Sequence, residues 1–171
     1  MNSDEFQSVM LNLVTGEKMK DDNTQVDDYT RIWRSLGTIY KLMYNGMDKK
    51  FDEVGSNVLE YRILRILVET GKKTMANLAD LNFVTQAWIT GMTDKMEEKG
   101  YVKRVRSSDD RRVIYVELTE KGKEFIEKMR KVHDDFLKSL LSFIPPEDTS
   151  KMADIIETFS DELGKRVITS L

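Results

Sequence analysis

The sequence predicts a mainly α-helical fold carrying one small β hairpin. Three observations support this: apolar residues recur at helical spacing along most of the chain, the period shifts toward β only between Tyr101 and Leu118, and glycines or capping residues mark the joins. With 171 residues, 40% hydrophobic and 33% charged, the composition is that of an ordinary globular chain. Charged residues interrupt every apolar run well short of a membrane span.

Residues 1–28 are polar and acidic, with seven acidic against two basic residues, so the remainder carries a net charge of +2 although the whole chain is at −3. Phe6, Val9, Met10, Leu13 and Val14 after Ser3 suggest a short amphipathic helix followed by a linker. The acidic start lacks the basic and apolar regions of a secretory signal, and a cytoplasmic location is the expectation. From Tyr29 through Ile32, Trp33, Leu36, Ile39, Tyr40, Met43, Met47 and Phe51 a 3.6-residue period predicts a long amphipathic helix.

Gly55-Ser56-Asn57 breaks that pattern, and Leu59, Ile63, Ile66 and Leu67 predict a second helix ending at Gly71 in a left-handed cap. Thr74 is placed to cap a short helix bearing Met75, Leu78 and Ala79. After the turn Leu81-Asn82-Phe83-Val84, Thr85 caps another. On that helix Ile89, Met92 and Met96 are expected to face inward, with Gln86, Thr90 and Thr93 largely elsewhere, and Gly100 stops it. Tyr101, Val102 and Val105, then the polar run Arg106–Arg112, then Val113–Leu118, predict a hairpin with a long charged loop. A long helix begins at Thr119-Glu120-Lys121-Gly122 and must end at Pro145-Pro146. Glu147 and Asp148 open a last helix with Met152, Ile155, Ile156, Phe159 and Leu163 on one side.

Two short helices joined by a tight turn form a weak signal for a helix-turn-helix unit. A following Arg- and Lys-rich hairpin sharpens it, because the second helix can read base edges while the hairpin lays cations along the duplex. The expected organisation is an extension over 1–28, a helical dimerisation region over 29–54 and 119–171, and a winged helix-turn-helix unit over 55–118. Apolar faces on terminal helices of so small a chain are expected to be covered by a second copy.

The run Asp110-Arg111-Arg112-Val113-Ile114-Tyr115-Val116-Glu117-Leu118-Thr119 fits the pattern D-x-R-x-x-x-V-x-L-T at every fixed place, and Glu120-Lys121-Gly122 continues it. Together with Leu78-Ala79 and Met96–Val102, it resembles the MarR family of winged helix-turn-helix transcription regulators over roughly residues 30 to 165. The resemblance implies a homodimer on a pseudo-palindromic double-stranded operator, often repressing until a small aromatic acid weakens binding. It also implies that Arg112 reaches the minor groove at the wing tip while Asp110 orients it.

The DNA contacts expected from this reading are Thr85, Gln86, Ala87, Trp88 and Thr90 on the recognition helix, and Arg106, Asp110, Arg111 and Arg112 on the wing. Many family members carry arginines where this chain has Gln86 and Gly91; Gln favours adenine and small methyls meet thymine, so an A·T-rich half-site is expected. Trp33, Tyr40, Tyr44 and Tyr61 are candidates to line a cleft for a small aromatic ligand, the competing expectation being that these rings fill core.

Other chemistry has little foothold. The chain has no cysteine, which removes disulfides, thiolate metal sites and cysteine nucleophiles. Its one histidine, His133, cannot build a nitrogen-rich metal site and is expected to be solvated or at a dimer contact. Carboxylates lie in surface runs without a nucleophile or phosphate loop, so neither catalysis, metal nor cofactor is expected. The alternative to a DNA-binding regulator is a winged-helix adaptor that binds protein, consistent with the pI of about 5.4 and the arginine-poor recognition helix.

Overall fold

A computed structural model describes residues 27–108, 110 and 112–169, with side chains described up to Val167. The expected helix near Phe6–Val14 and its linker lie outside the described residues. The order is α1 (Asp28–Asp52), α2 (Val58–Thr70), β1 (Lys73–Thr74), α3 (Met75–Asn82), α4 (Gln86–Glu98), β2 (Val102–Arg106), β3 (Ile114–Leu118), α5 (Glu120–Leu141) and α6 (Pro146–Thr169). None of the described helices is long and apolar enough to cross a membrane. The chain forms two compact units, one ending at His133 and one beginning at Asp134, with α5 running through the boundary.

Local chemistry sets each join. Asp27, Asn57, Thr74 and Thr85 cap α1 to α4, each side chain accepting a backbone N–H in the first turn. Thr119 does the same for α5, accepting from the Gly122 N–H at 3.0 Å. The long helix closes at Leu141, short of Phe143, and Pro146 supplies the first residue of α6, where its missing N–H leaves nothing unpaired.

Gly71 ends α2 as expected, but at φ 72 and ψ −165 rather than in the left-handed helical region. That conformation is open essentially to glycine alone, and it sends the chain straight into a strand. This strand, β1, was not anticipated; two residues are too few to show alternation. It pairs antiparallel with β3, whose other edge pairs with β2, so the hairpin is the larger part of a three-stranded sheet in the order β1-β3-β2.

The core of the first unit joins Phe51 of α1, Ile63 and Leu64 of α2, Leu78 of α3, Ile89 and Met96 of α4, Val102 and Val116 of the sheet, and Ile126 and Met129 of α5, all essentially inaccessible. Thr93 corrects the expected face of α4: it lies four residues beyond Ile89 and three before Met96, and is fully buried, with Met92 only partly so. Its hydroxyl donates to the Ile89 carbonyl at 2.7 Å, which is what makes the position tolerable to a polar residue.

His133 is partly withdrawn from solvent and engages a ring of the same unit. It is half-buried and stacks on Tyr61 at 5.2 Å between ring centroids, and Tyr61 meets Phe51 at 4.9 Å. In the second unit, α6 exposes Ile155, Ile156, Phe159, Leu163 and Val167; α1 in the first exposes Tyr29, Ile32, Trp33, Ile39 and Tyr40.

Candidate nucleic-acid interface

Helix α3, a three-residue turn and α4 make the helix-turn-helix. Thr85 starts α4, its hydroxyl accepting from the Trp88 N–H at 3.3 Å, and Thr85, Gln86, Ala87 and Trp88 are all exposed in the first turn. An N-terminal helical turn so displayed can bring side chains and unpaired N–H groups to a duplex. Thr90 is half-buried, and its hydroxyl is turned back onto the Gln86 carbonyl at 2.9 Å, leaving it less to offer than the first-turn residues.

The wing is shaped by backbone bonds. Ser107 donates its N–H to the Val113 carbonyl and Val113 to the Asp110 carbonyl, each at 2.9 Å. The Asp110 carboxylate accepts the Arg112 N–H at 2.9 Å, an aspartate turn, whereas the Arg112 Nε stands 3.9 Å from the same oxygen. Asp110 therefore fixes the backbone from which Arg112 projects more firmly than it holds the guanidinium, whose side chain is 95% exposed. Arg106 is exposed at the end of β2; Arg111 lies outside the described residues.

A residue that sequence reasoning passed over ties helix to wing. Arg104 of β2 pairs with Asp94 and, at 3.1 Å, with Glu97, both on α4, and Glu97 also accepts the Arg104 N–H at 3.0 Å. Asp94 and Glu97, three apart on one helix face, were the available signal. A second tie is buried: Glu60, 1% exposed on α2, accepts from Ser56 at 2.6 Å and from Lys99 at 2.7 Å, just past the end of α4. The start of α5 is fitted to the same corner, where Thr119 donates to the Gly100 carbonyl at 2.7 Å and a Cβ on Gly122 would stand 2.1 Å from the Tyr101 carbonyl oxygen.

Of the candidate ligand-binding rings, Tyr40 and Tyr44 are neighbours on α1 at 5.8 Å, and Trp33 is 54% exposed on the same helix. Tyr61 instead is buried against Phe51 and stacks on the half-buried His133. Burial foremost, then the charge of Asp48 and the neighbouring Tyr40, raises the Tyr44 phenol above its ordinary value of 10.0, with Arg62 acting in the opposite direction. An open cleft of about 660 Å³ lies elsewhere, between the end of α2, the sheet and the start of α5, where Lys72, Lys103 and Lys123 face Glu117 and Glu120.

Comparison with known proteins agrees with this geometry. The family model for the transcriptional regulators SarA/Rot matches residues 47–129, from the end of α1 into α5. The uncharacterized helix-turn-helix regulator YpoP of Bacillus subtilis is 33% identical over 133 residues, covering 77% of this chain and 90% of its own. The transcriptional repressor YetL of the same organism is 31% identical over 133 residues, covering 77% and 71%. The crystal structure of AbsC, a MarR family regulator from Streptomyces coelicolor, superposes with a TM-score of 0.67 at 22% identity, covering 84% of this chain and 99% of that one, and so shares the fold. These relatives are transcription regulators rather than enzymes. The winged helix-turn-helix unit assembled from the residues above, with the fold of a MarR family regulator, thus places the chain among the helix-turn-helix transcription regulators.

Proposed function

We propose that the chain is a homodimeric repressor that occupies a pseudo-palindromic operator and is released by a small aromatic acid. The observation that carries the DNA contact is the pairing, in one unit, of an exposed first turn of α4 with an almost fully exposed Arg112 on a turn fixed by Asp110. Thr85, Gln86, Ala87 and Trp88 would meet the major groove, and Arg106, Arg111 and Arg112 the adjacent backbone or minor groove.

Dimerisation is supported by the exposed apolar side chains of α1 and of α6, which are costly to leave in water. In a dimer the two α4 helices would lie about 34 Å apart, one turn of the duplex. Repression is supported by the likeness to YetL, which is named a repressor. Tyr40, Tyr44 and Trp33 are the rings offered to an aromatic acid, which can release DNA only by preferring a state that fits the operator less well.

Fluorescence anisotropy on duplexes selected by the full chain tests the reading. Arg112→Ala is expected to weaken binding about 5- to 150-fold at unchanged melting temperature, with a shallower salt dependence. Light scattering should give twice the 19.9 kDa chain mass. Absence of salt-dependent DNA binding would favour a protein-binding adaptor, and indifference to millimolar salicylate-like acids would remove the proposed effector class.

A further inference from the structure

The turn of the helix-turn-helix is built from residues that local rules disfavour. Phe83, with φ 56, is the non-glycine residue found at positive φ among the described residues, a conformation that a bulky side chain adopts at a cost. The residue is 73% exposed, so packing does not compensate. Just before it, Asn82 is 2% exposed and its Oδ1 has no hydrogen-bond partner, although its Nδ2 donates to the Leu78 carbonyl at 2.8 Å. Three residues into α4, Trp88 is 51% exposed. The exposed residues over the first two turns of α4 are Gln86, Ala87, Trp88 and Gly91, with no cation among them.

Strain and uncompensated apolar exposure kept at a reading surface point to a use there. We infer that Trp88, with Phe83 as a second apolar contact at the turn, determines sequence specificity by packing against the 5-methyl groups of thymines in the major groove. The inference rests on the DNA-binding reading above and deepens it. Thymine differs from every other base edge in the major groove by that methyl, and an indole face offers it more apolar area than any other exposed side chain of α4. A helix without arginine has little with which to grip guanine O6 and N7, so apolar complementarity has to supply the discrimination that charged forks supply elsewhere. Gln86 beside it can select the adenine of a neighbouring pair, so the two read the same class of step.

Thymine-to-deoxyuridine replacement is the test, because it deletes the methyl and keeps base pairing. Operators are first selected from random duplexes with the full chain, and each thymine of the half-sites is then replaced in turn. At the contacted position affinity should fall about fourfold for each methyl removed, and roughly fifteenfold when both half-sites are altered. Trp88→Ala should weaken binding to the thymine operator and erase the difference between thymine and deoxyuridine. Phe83→Asn, whose side chain tolerates the left-handed backbone, should raise the melting temperature while lowering affinity. Full affinity of the wild type for duplexes lacking every methyl, or undiminished methyl sensitivity in Trp88→Ala, would overturn the inference. Failure of the wild type to select any duplex would instead defeat the DNA-binding reading itself.

Discussion

The Lys99 ammonium lies 2.7 Å from the Glu60 carboxylate, joining the end of the recognition helix to the start of α2 through a charge that is otherwise sealed in the core. Glu60 retains only 2% of its side-chain exposure while Lys99 keeps 38%, so the burden of desolvation falls on the carboxylate. Lys99→Met leaves that carboxylate with Ser56 alone. Discounting for the exposed lysine, the expected loss is about 2 kcal/mol in urea unfolding. Adding Glu60→Gln should recover much of it, and a double-mutant cycle showing no coupling would contradict this role.

Two glycines of the first unit should respond to alanine with opposite signs. A methyl at Gly122 meets the Tyr101 carbonyl oxygen and the Leu118 side chain, and Gly122→Ala is expected to destabilise by about 3 kcal/mol. Gly91 has open space around the added carbon and sits inside α4, so Gly91→Ala should stabilise by up to about 1 kcal/mol. Thermal unfolding of the two variants side by side checks both.

At Asp110 the hydrogen bond to the Arg112 N–H and the negative charge have separable effects on DNA binding. Asp110→Asn keeps an acceptor and removes the charge, so affinity should hold or rise. Asp110→Ala removes both, and the loosened turn should lower affinity about tenfold despite the lost repulsion. Tighter binding by Asp110→Ala would show that the charge outweighs the turn.

The Tyr44 phenol gives the fold an alkaline dependence. Because its folded pKa is raised above the unfolded value, the stability it contributes is complete below about pH 10 and is lost as pH climbs through the raised folded value. Tyr44→Phe should flatten the fall in melting temperature over that alkaline window. Absorbance titration should show a late-ionising phenol in the wild type that is missing from Tyr44→Phe.

Helix positions and caps were legible in the sequence because each rests on local chemistry: a threonine at 74, 85 and 119, a glycine at 71 and 100, a proline pair at 145–146. The wing was legible from its alternation and from the Asp110–Thr119 run. What escaped depended on contacts distant in sequence. Nothing near Glu60 announces that Lys99 will reach it, and a two-residue strand has no period to detect. Thr93 was misplaced because a threonine reads as surface until its hydroxyl is seen bonded within its own helix. The exposed first-turn residues of α4 were readable from the cap alone, whereas Arg104 required knowledge that β2 lies against α4.

The Arg104 bonds to Asp94 and Glu97 are already made before any nucleic acid arrives. A recognition helix and wing strand joined in advance have little backbone entropy left to surrender on association, so ordering is confined to side chains at the tips. Encounter rates should then vary little from one duplex to another, and discrimination should be written almost wholly into residence time on the site.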